Sequence, residues 1–156
     1  MGLKLYDTLT REVRDIFPMD ESSVRFYACG PTVYGPAHIG NFRTFVMQDV
    51  FRRVLETSGQ STLHVRNLTD VDDKTIRQSQ EEGIKLEDFT ANWTTRFQND
   101  CGLLNLMAPH IEPSAVGHIP EQITLIERLI EKDKAYQAKD GSLSLIHISE
   151  PTRPNE

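Results

Sequence analysis

An abrupt change of pattern between residues 24 and 58 constrains the fold more than any other feature. Val24–Cys29 (VRFYAC) is an apolar, aromatic and β-branched run broken only by Arg25, the composition of a buried strand. Gly30-Pro31 stops it, and Gly35-Pro36 adds a second turn. From Ala37 to about Ser58 the period becomes helical. Phe42, Phe45, Val46, Asp49, Val50, Arg53 and Val54 recur at three- and four-residue spacing, and Gly59 is placed to end the helix. Ser61–Thr69 (STLHVRNLT) alternates Leu63, Val65 and Asn67 against His64, Arg66 and Leu68, a second strand. A strand, a helix and a strand in that order predict an α/β fold with a parallel sheet. Ligands of such sheets bind outside the carboxyl ends of the strands. That rule gathers Cys29, Gly30, Thr69 and the start of the first helix at one edge.

The remainder reads as helical. Asp70-Val71-Asp72-Asp73 opens a helix from Lys74 to about Gly83, with acids at its positive end. Leu86–Leu106 places Phe89, Trp93, Phe97, Cys101 and Leu104 on one face. Pro109–Pro120 reads as a loop or broken turn. Ile119–Ala135 reads as an amphipathic helix with Ile123, Ile126, Leu129 and Ile130 inward. The 156 residues suit one ordinary domain. No apolar run nears the ~18 residues that span a bilayer, and the N-terminus lacks the pattern of a secretory signal. Two distant cysteines match no disulfide framework, so a reducing cytoplasm is expected. Net charge is −6. It is zero over residues 1–77 and falls entirely on residues 78–156. With no basic run, neither DNA nor a membrane surface is an expected partner.

Three places carry candidate chemistry. Pro36-Ala37-His38-Ile39-Gly40-Asn41 stands where strand gives way to helix. A helix start attracts phosphate through unpaired N–H groups and the positive end of its dipole. His38 and Asn41 add donors there, and Gly40 lets a flat base approach the backbone. The alternative is that His38 caps the helix and Gly40 packs on the sheet. Cys29 ends the first strand and could bind zinc or act as a nucleophile; otherwise it is a small buried hydrophobe. Cys101 reads as core. Asp70, Asp72 and Asp73 could hold magnesium, could cap and compensate the following helix, or Asp70 with Thr69 could face a small substrate. His64, His110 and His118 match no ligand spacing and read as structural or solvated.

Three blocks in order, YACGPTVY at residues 27–34, HIGN at 38–41 and VRNLTDVDDK at 65–74, resemble the N-terminal part of the cysteinyl-tRNA synthetases, a class I aminoacyl-tRNA synthetase family. Leu5–Thr10, Glu112-Pro113 and His118-Ile119 fit as well, and the likeness runs from about Lys4 to about Leu143. The resemblance implies a Rossmann-type (HUP-like) domain that activates cysteine with ATP, Mg2+ accompanying the nucleotide, and then charges tRNA(Cys). His38, Gly40 and Asn41 fall on the family's HIGH signature, which binds ATP and stabilises its phosphates; Asn41 replaces the final histidine. Cys29 falls on the first zinc ligand of a family in which zinc grips the substrate thiolate. Zinc prefers a thiolate to a hydroxyl, which refuses serine without an editing site. Gly30, Thr32 and Thr69 fall on the family's cysteine pocket.

The family's other zinc ligands (a cysteine, a histidine and a glutamate), its KMSKS loop and its helical tRNA-binding region are not found in the 156 residues. The expectation is therefore an incomplete catalytic domain over residues 1–143 that is inactive alone. Residues 144–156 (SLIHISEPTRPNE) are similar to translated sequencing-adapter tails and are expected to be foreign. Other readings are a ligase joining cysteine to an amino sugar, a non-catalytic nucleotide-binding fragment, and a poorly folding piece whose half-sheet leaves an apolar edge.

Overall fold

The structure, a computed structural model, describes residues 3–19 and 22–146. The chain divides into two compact units, Met1–Gly117 and His118–Glu156.

The first unit opens with a hairpin that local patterning did not announce, β1 (Lys4–Asp7) and β2 (Glu12–Asp15). Asp7 ties its turn, accepting from the Leu9 N–H at 2.9 Å and from Arg14 Nη1 at 2.9 Å. These bonds lower the Asp7 pKa. The expected strand follows as β3 (Val24–Ala28), then α1 (Ile39–Thr57) and β4 (Thr62–Arg66). β3 and β4 pair in parallel from Val24↔Thr62 to Ala28↔Arg66. Helix α1 starts two residues later than the pattern suggested. It ends at Ser58, and Gly59 takes the left-handed φ of 83° that a side chain resists.

Next come α2 (Asp73–Glu81) and α3 (Leu86–Leu103), which pack on each other. Pro109–Pro120 is more than a loop. Residues 110–115 run beside β4 as a broken third strand, with parallel bridges Val65↔Ile111 and Leu68↔Ser114. The Arg66 and Leu68 N–H groups donate to the Ile111 and Pro113 carbonyls at 3.0 and 2.8 Å. Pro113 has no N–H to return, which keeps the ladder irregular.

The core of this unit joins Val33, Phe42, Phe45, Leu68, Phe97 and Cys101, with Ala37, Trp93 and Leu106 against it. Burial raises the Cys101 pKa, as suits a core thiol. Two expectations need correction. Leu104 lies beyond the last turn of α3 and is exposed, so the apolar face of that helix stops at Cys101. On α1, Phe42, Phe45 and Asp49 turn inward, but Val46, Val50 and Val54 stay 38–46% exposed. The covered face is thus narrower than the apolar stripe.

The more buried side of β4 is the polar-looking one. Arg66, 4% exposed, donates from Nη2 to Glu112 Oε1 at 2.6 Å, and its guanidinium lies 5.4 and 5.0 Å from the Phe45 and Phe97 ring centres. Paired charge and aromatic faces compensate its loss of water. His64, 2% exposed, stacks on Phe26 at 4.5 Å. Neither of its ring nitrogens has a hydrogen-bond partner.

The second unit holds α4 (Ile119–Glu131) and a hairpin of β5 (Ala135–Gln137) and β6 (Leu143–Leu145). A single 3₁₀ turn, Val116–His118, stands at the boundary. The expected helix to Ala135 ends four residues early, because Asp133 takes a positive φ of 53° and turns the chain. None of the apolar residues of α4 is buried; Ile123 and Ile130 are 50% and 43% exposed. Ser144 and Leu145, the first residues of the suspected foreign tail, belong to β6. Residues 147–156 lie outside the described residues.

Candidate active site

Asn67 builds the edge of the sheet. Its Oδ1 accepts from the Tyr27 hydroxyl at 2.8 Å and from the Gly30 N–H at 2.9 Å, while its Nδ2 donates to Thr69 Oγ1 at 2.9 Å. One carboxamide thus ties the end of β3 to the continuation of β4. The Thr69 N–H donates to the Pro31 carbonyl, and the Val33 N–H to the Thr69 carbonyl. Thr32 and Thr69 form a parallel bridge. Gly30 is required by this closeness: a Cβ there would lie 1.7 Å from the Asn67 carbonyl oxygen.

The next turn delivers His38 as the N-cap of α1. Its Nδ1 accepts from the Gly40 N–H at 3.0 Å, and the Asn41 Oδ1 accepts from the His38 N–H at 3.1 Å. This reciprocal pair is a capping box, so the capping alternative for His38 is realised. It also fixes the chemistry of the ring. With Nδ1 accepting, the proton of a neutral imidazole sits on Nε2, which is left free to donate. Asn41 likewise commits its oxygen and keeps its amide nitrogen as donor. Gly40 makes room for His38 itself, since a Cβ would meet the imidazole at 2.9–3.0 Å.

Between these parts lies a cavity of about 360 Å³, within the range of small-molecule sites. Cys29, Gly30, Thr32, His38 and Asn41 all line it. Of the residues singled out from sequence, Thr69 and Gly40 do not. Thr69 braces the wall through Asn67 and Pro31, and Gly40 faces a separate apolar groove with Phe42 and Leu104. Cys29 is exposed, and its carbonyl accepts from Gln48 Nε2 at 3.1 Å. The pKa of neighbouring Tyr27 is raised, first by burial and then by the charge of and a hydrogen bond with Cys29.

No individual site role was legible in the sequence for Asn67, Thr44, Tyr34, Phe45, Phe97 or Lys74, of which all but Asn67 line the cavity. Tyr34, Thr44 and Phe45 come with the turn from β3 into α1, whereas Phe97 and Lys74 reach the cavity from α3 and α2. The acidic run does not converge. Asp72 caps α2, accepting from the Lys74 and Thr75 N–H groups, and Asp73 begins that helix. Asp70 accepts from the Val116 N–H at 2.9 Å. Among the described residues no group of three or more histidines, cysteines or carboxylates could hold a metal ion. Cys29 is one thiol, and the described residues do not complete a zinc or magnesium site.

Residues 15–152 match the family of tRNA synthetases class I (C) catalytic domain. The Cysteine--tRNA ligase of Opitutus terrae is 56% identical over 146 residues, 92% of this chain and 32% of that protein. Those of Koribacter versatilis and Methanosarcina acetivorans are 44% and 45% identical over 91% and 90% of this chain, and 29% and 30% of theirs. The chain therefore spans about a third of the length of the curated relatives it matches. In fold it is similar to a LeuRS of Agrobacterium radiobacter K84 solved with tRNA and LeuAMS, with a TM-score of 0.62 and 21% identity over 73% of this chain and 15% of that one. The parallel pair with its crossover helix, the capped helix start beside Cys29 and the match along most of the sequence agree: this chain belongs to the class I (C) tRNA synthetase catalytic domain family.

Proposed function

We propose that the protein of which this chain forms part activates cysteine with ATP and passes the cysteinyl group to tRNA(Cys). We further read β3 and β4 as the start of a Rossmann-type (HUP-like) sheet, and the cytoplasm as the site of action. The observation that carries the reading is the shared cavity: Cys29, Gly30, Thr32, His38 and Asn41 meet where β3 hands over to α1.

In the activation step a cysteine carboxylate oxygen attacks the α-phosphorus of ATP. The bond to the bridging oxygen breaks, and pyrophosphate leaves with its electron pair. Charge grows on the phosphoryl oxygens. The His38 Nε2–H and the Asn41 amide N–H are donors that serve it without rearranging, since the backbone N–H groups of Gly40, Asn41 and Phe42 are spent within the helix cap. Gly30 and Thr32 form the cysteine side, with Thr69 bracing them. Mg2+ enters with ATP. Cys29 would supply one sulfur donor to a zinc ion; a tetrahedral site needs more donors, which the described residues do not provide.

The chain alone is proposed to be inactive, and residues 144–156 to be foreign. An authentic stop codon after Glu156 at the locus would defeat the latter. Cysteine-dependent ATP–pyrophosphate exchange tests the main reading. The full-length protein is expected to exchange, and His38→Ala to lose about 100-fold. No exchange with cysteine by the full-length protein overturns the assignment, and robust exchange by the 156 residues overturns the claim of inactivity.

A further inference from the structure

Lys74 reaches the cavity from α2. Among the described residues lining the cavity it carries the only fixed positive charge, and no carboxylate lines it. Its ammonium forms no ion pair among the described residues. It lies 5.1 Å from the centre of the Tyr34 ring, within cation–π range. Tyr34 belongs to the segment between β3 and α1 that walls the cavity, so the contact turns the lysine from its own helix toward the opening.

The position is locally unfavourable. Lys74 is the second residue of α2, where the positive end of the helix dipole repels a cation. A residue that works against its own helix is a sign of a functional demand. The facing donors at His38 and Asn41 are neutral hydrogen-bonding groups, suited to single phosphoryl oxygens. They do not balance the charge of a polyphosphate. A flexible ammonium supplies a mobile point charge of the kind that binds phosphates.

We propose that Lys74 is a phosphate-binding residue of this cavity, the counter-charge to the polyphosphate of a nucleoside triphosphate. The inference rests on the nucleotide reading of the site and adds a residue from α2 to it. Calorimetric titration of the full-length protein with inorganic tripolyphosphate, ATP, adenosine and cysteine tests it. The variants are Lys74→Met, which keeps the arm over Tyr34 and removes the charge, Lys74→Arg, His38→Ala, and Lys85→Ala as an exposed-lysine control. Thermal melts monitor folding of each. Lys74→Met is expected to weaken tripolyphosphate and ATP about tenfold. Lys74→Arg and Lys85→Ala should stay within about twofold of the parent, and adenosine should be unaffected.

Equal tripolyphosphate binding by Lys74→Met and the parent overturns the inference. So does a loss confined to cysteine, which would assign the ammonium to a carboxylate. Loss in His38→Ala alone overturns it while supporting the nucleotide reading. If the unmutated full-length protein binds neither ATP nor tripolyphosphate, the nucleotide reading and the inference both fall.

Discussion

A methyl group on Gly30 would sit 1.7 Å from the Asn67 carbonyl oxygen, so Gly30→Ala must push the end of β3 away from β4. Urea unfolding should show a loss of roughly 2 kcal/mol or more. Gly35→Ala, with open space around it, should stay within about 0.5 kcal/mol. His64 gives a pH signature. Burial first, then the positive charges of Arg66 and Arg52, lower its pKa to about 4. The unfolded chain takes up that proton near pH 6.5 and the folded chain only near 4. Stability from the neutral ring is therefore present above about pH 6.5 and lost as pH falls toward 4, by up to roughly 3 kcal/mol. Urea midpoints between pH 4 and 7 should show this slope, and His64→Leu should flatten it. An unchanged slope in the variant would refute the assignment.

Helix starts and the buried ion pair set the behaviour of the elements. Asp72 satisfies two N–H groups of α2, so Asp72→Ala should cost about 1 kcal/mol in thermal unfolding. Asp73→Ala should cost less, its carboxylate acting on the dipole alone. Arg66→Met leaves the Glu112 carboxylate with Gln98 as its remaining donor and should cost roughly 3 kcal/mol; changing Glu112 to Met as well should recover part of the loss. The elements legible in the sequence are those whose signal is local. β3, α1, β4 and α2 follow from periodicity and breakers. The ladder at 110–115 does not, because its bonds exist only once β4 lies alongside and Pro113 with the neighbouring Pro109 reads as loop. The hairpin at Lys4–Asp15 buries too little to leave an alternating pattern. Cys29 and His38 stand at breakers that mark the strand end and helix start. Asn67 looked like one more alternating strand position, and Lys74 needs Tyr34, forty residues upstream, to show its direction.

Across the whole chain, burial falls short of apolar supply. Val46, Met47, Val50 and Val54 remain exposed along α1, and contiguous apolar surface invites association. The 156-residue chain should bind a hydrophobic dye and self-associate in sedimentation runs. Val46→Lys with Val50→Lys should reduce both, with unfolding free energy changed by less than about 0.5 kcal/mol per site. The clamp at Asn67 has the opposite character, being complete within these residues. Because one carboxamide spans both strand ends, the spacing between them is held by a single side chain. Tolerance at position 67 is correspondingly narrow: aspartate can take a proton's partner role but not give one, glutamine overshoots by a methylene, and an aliphatic side chain releases three groups at a stroke.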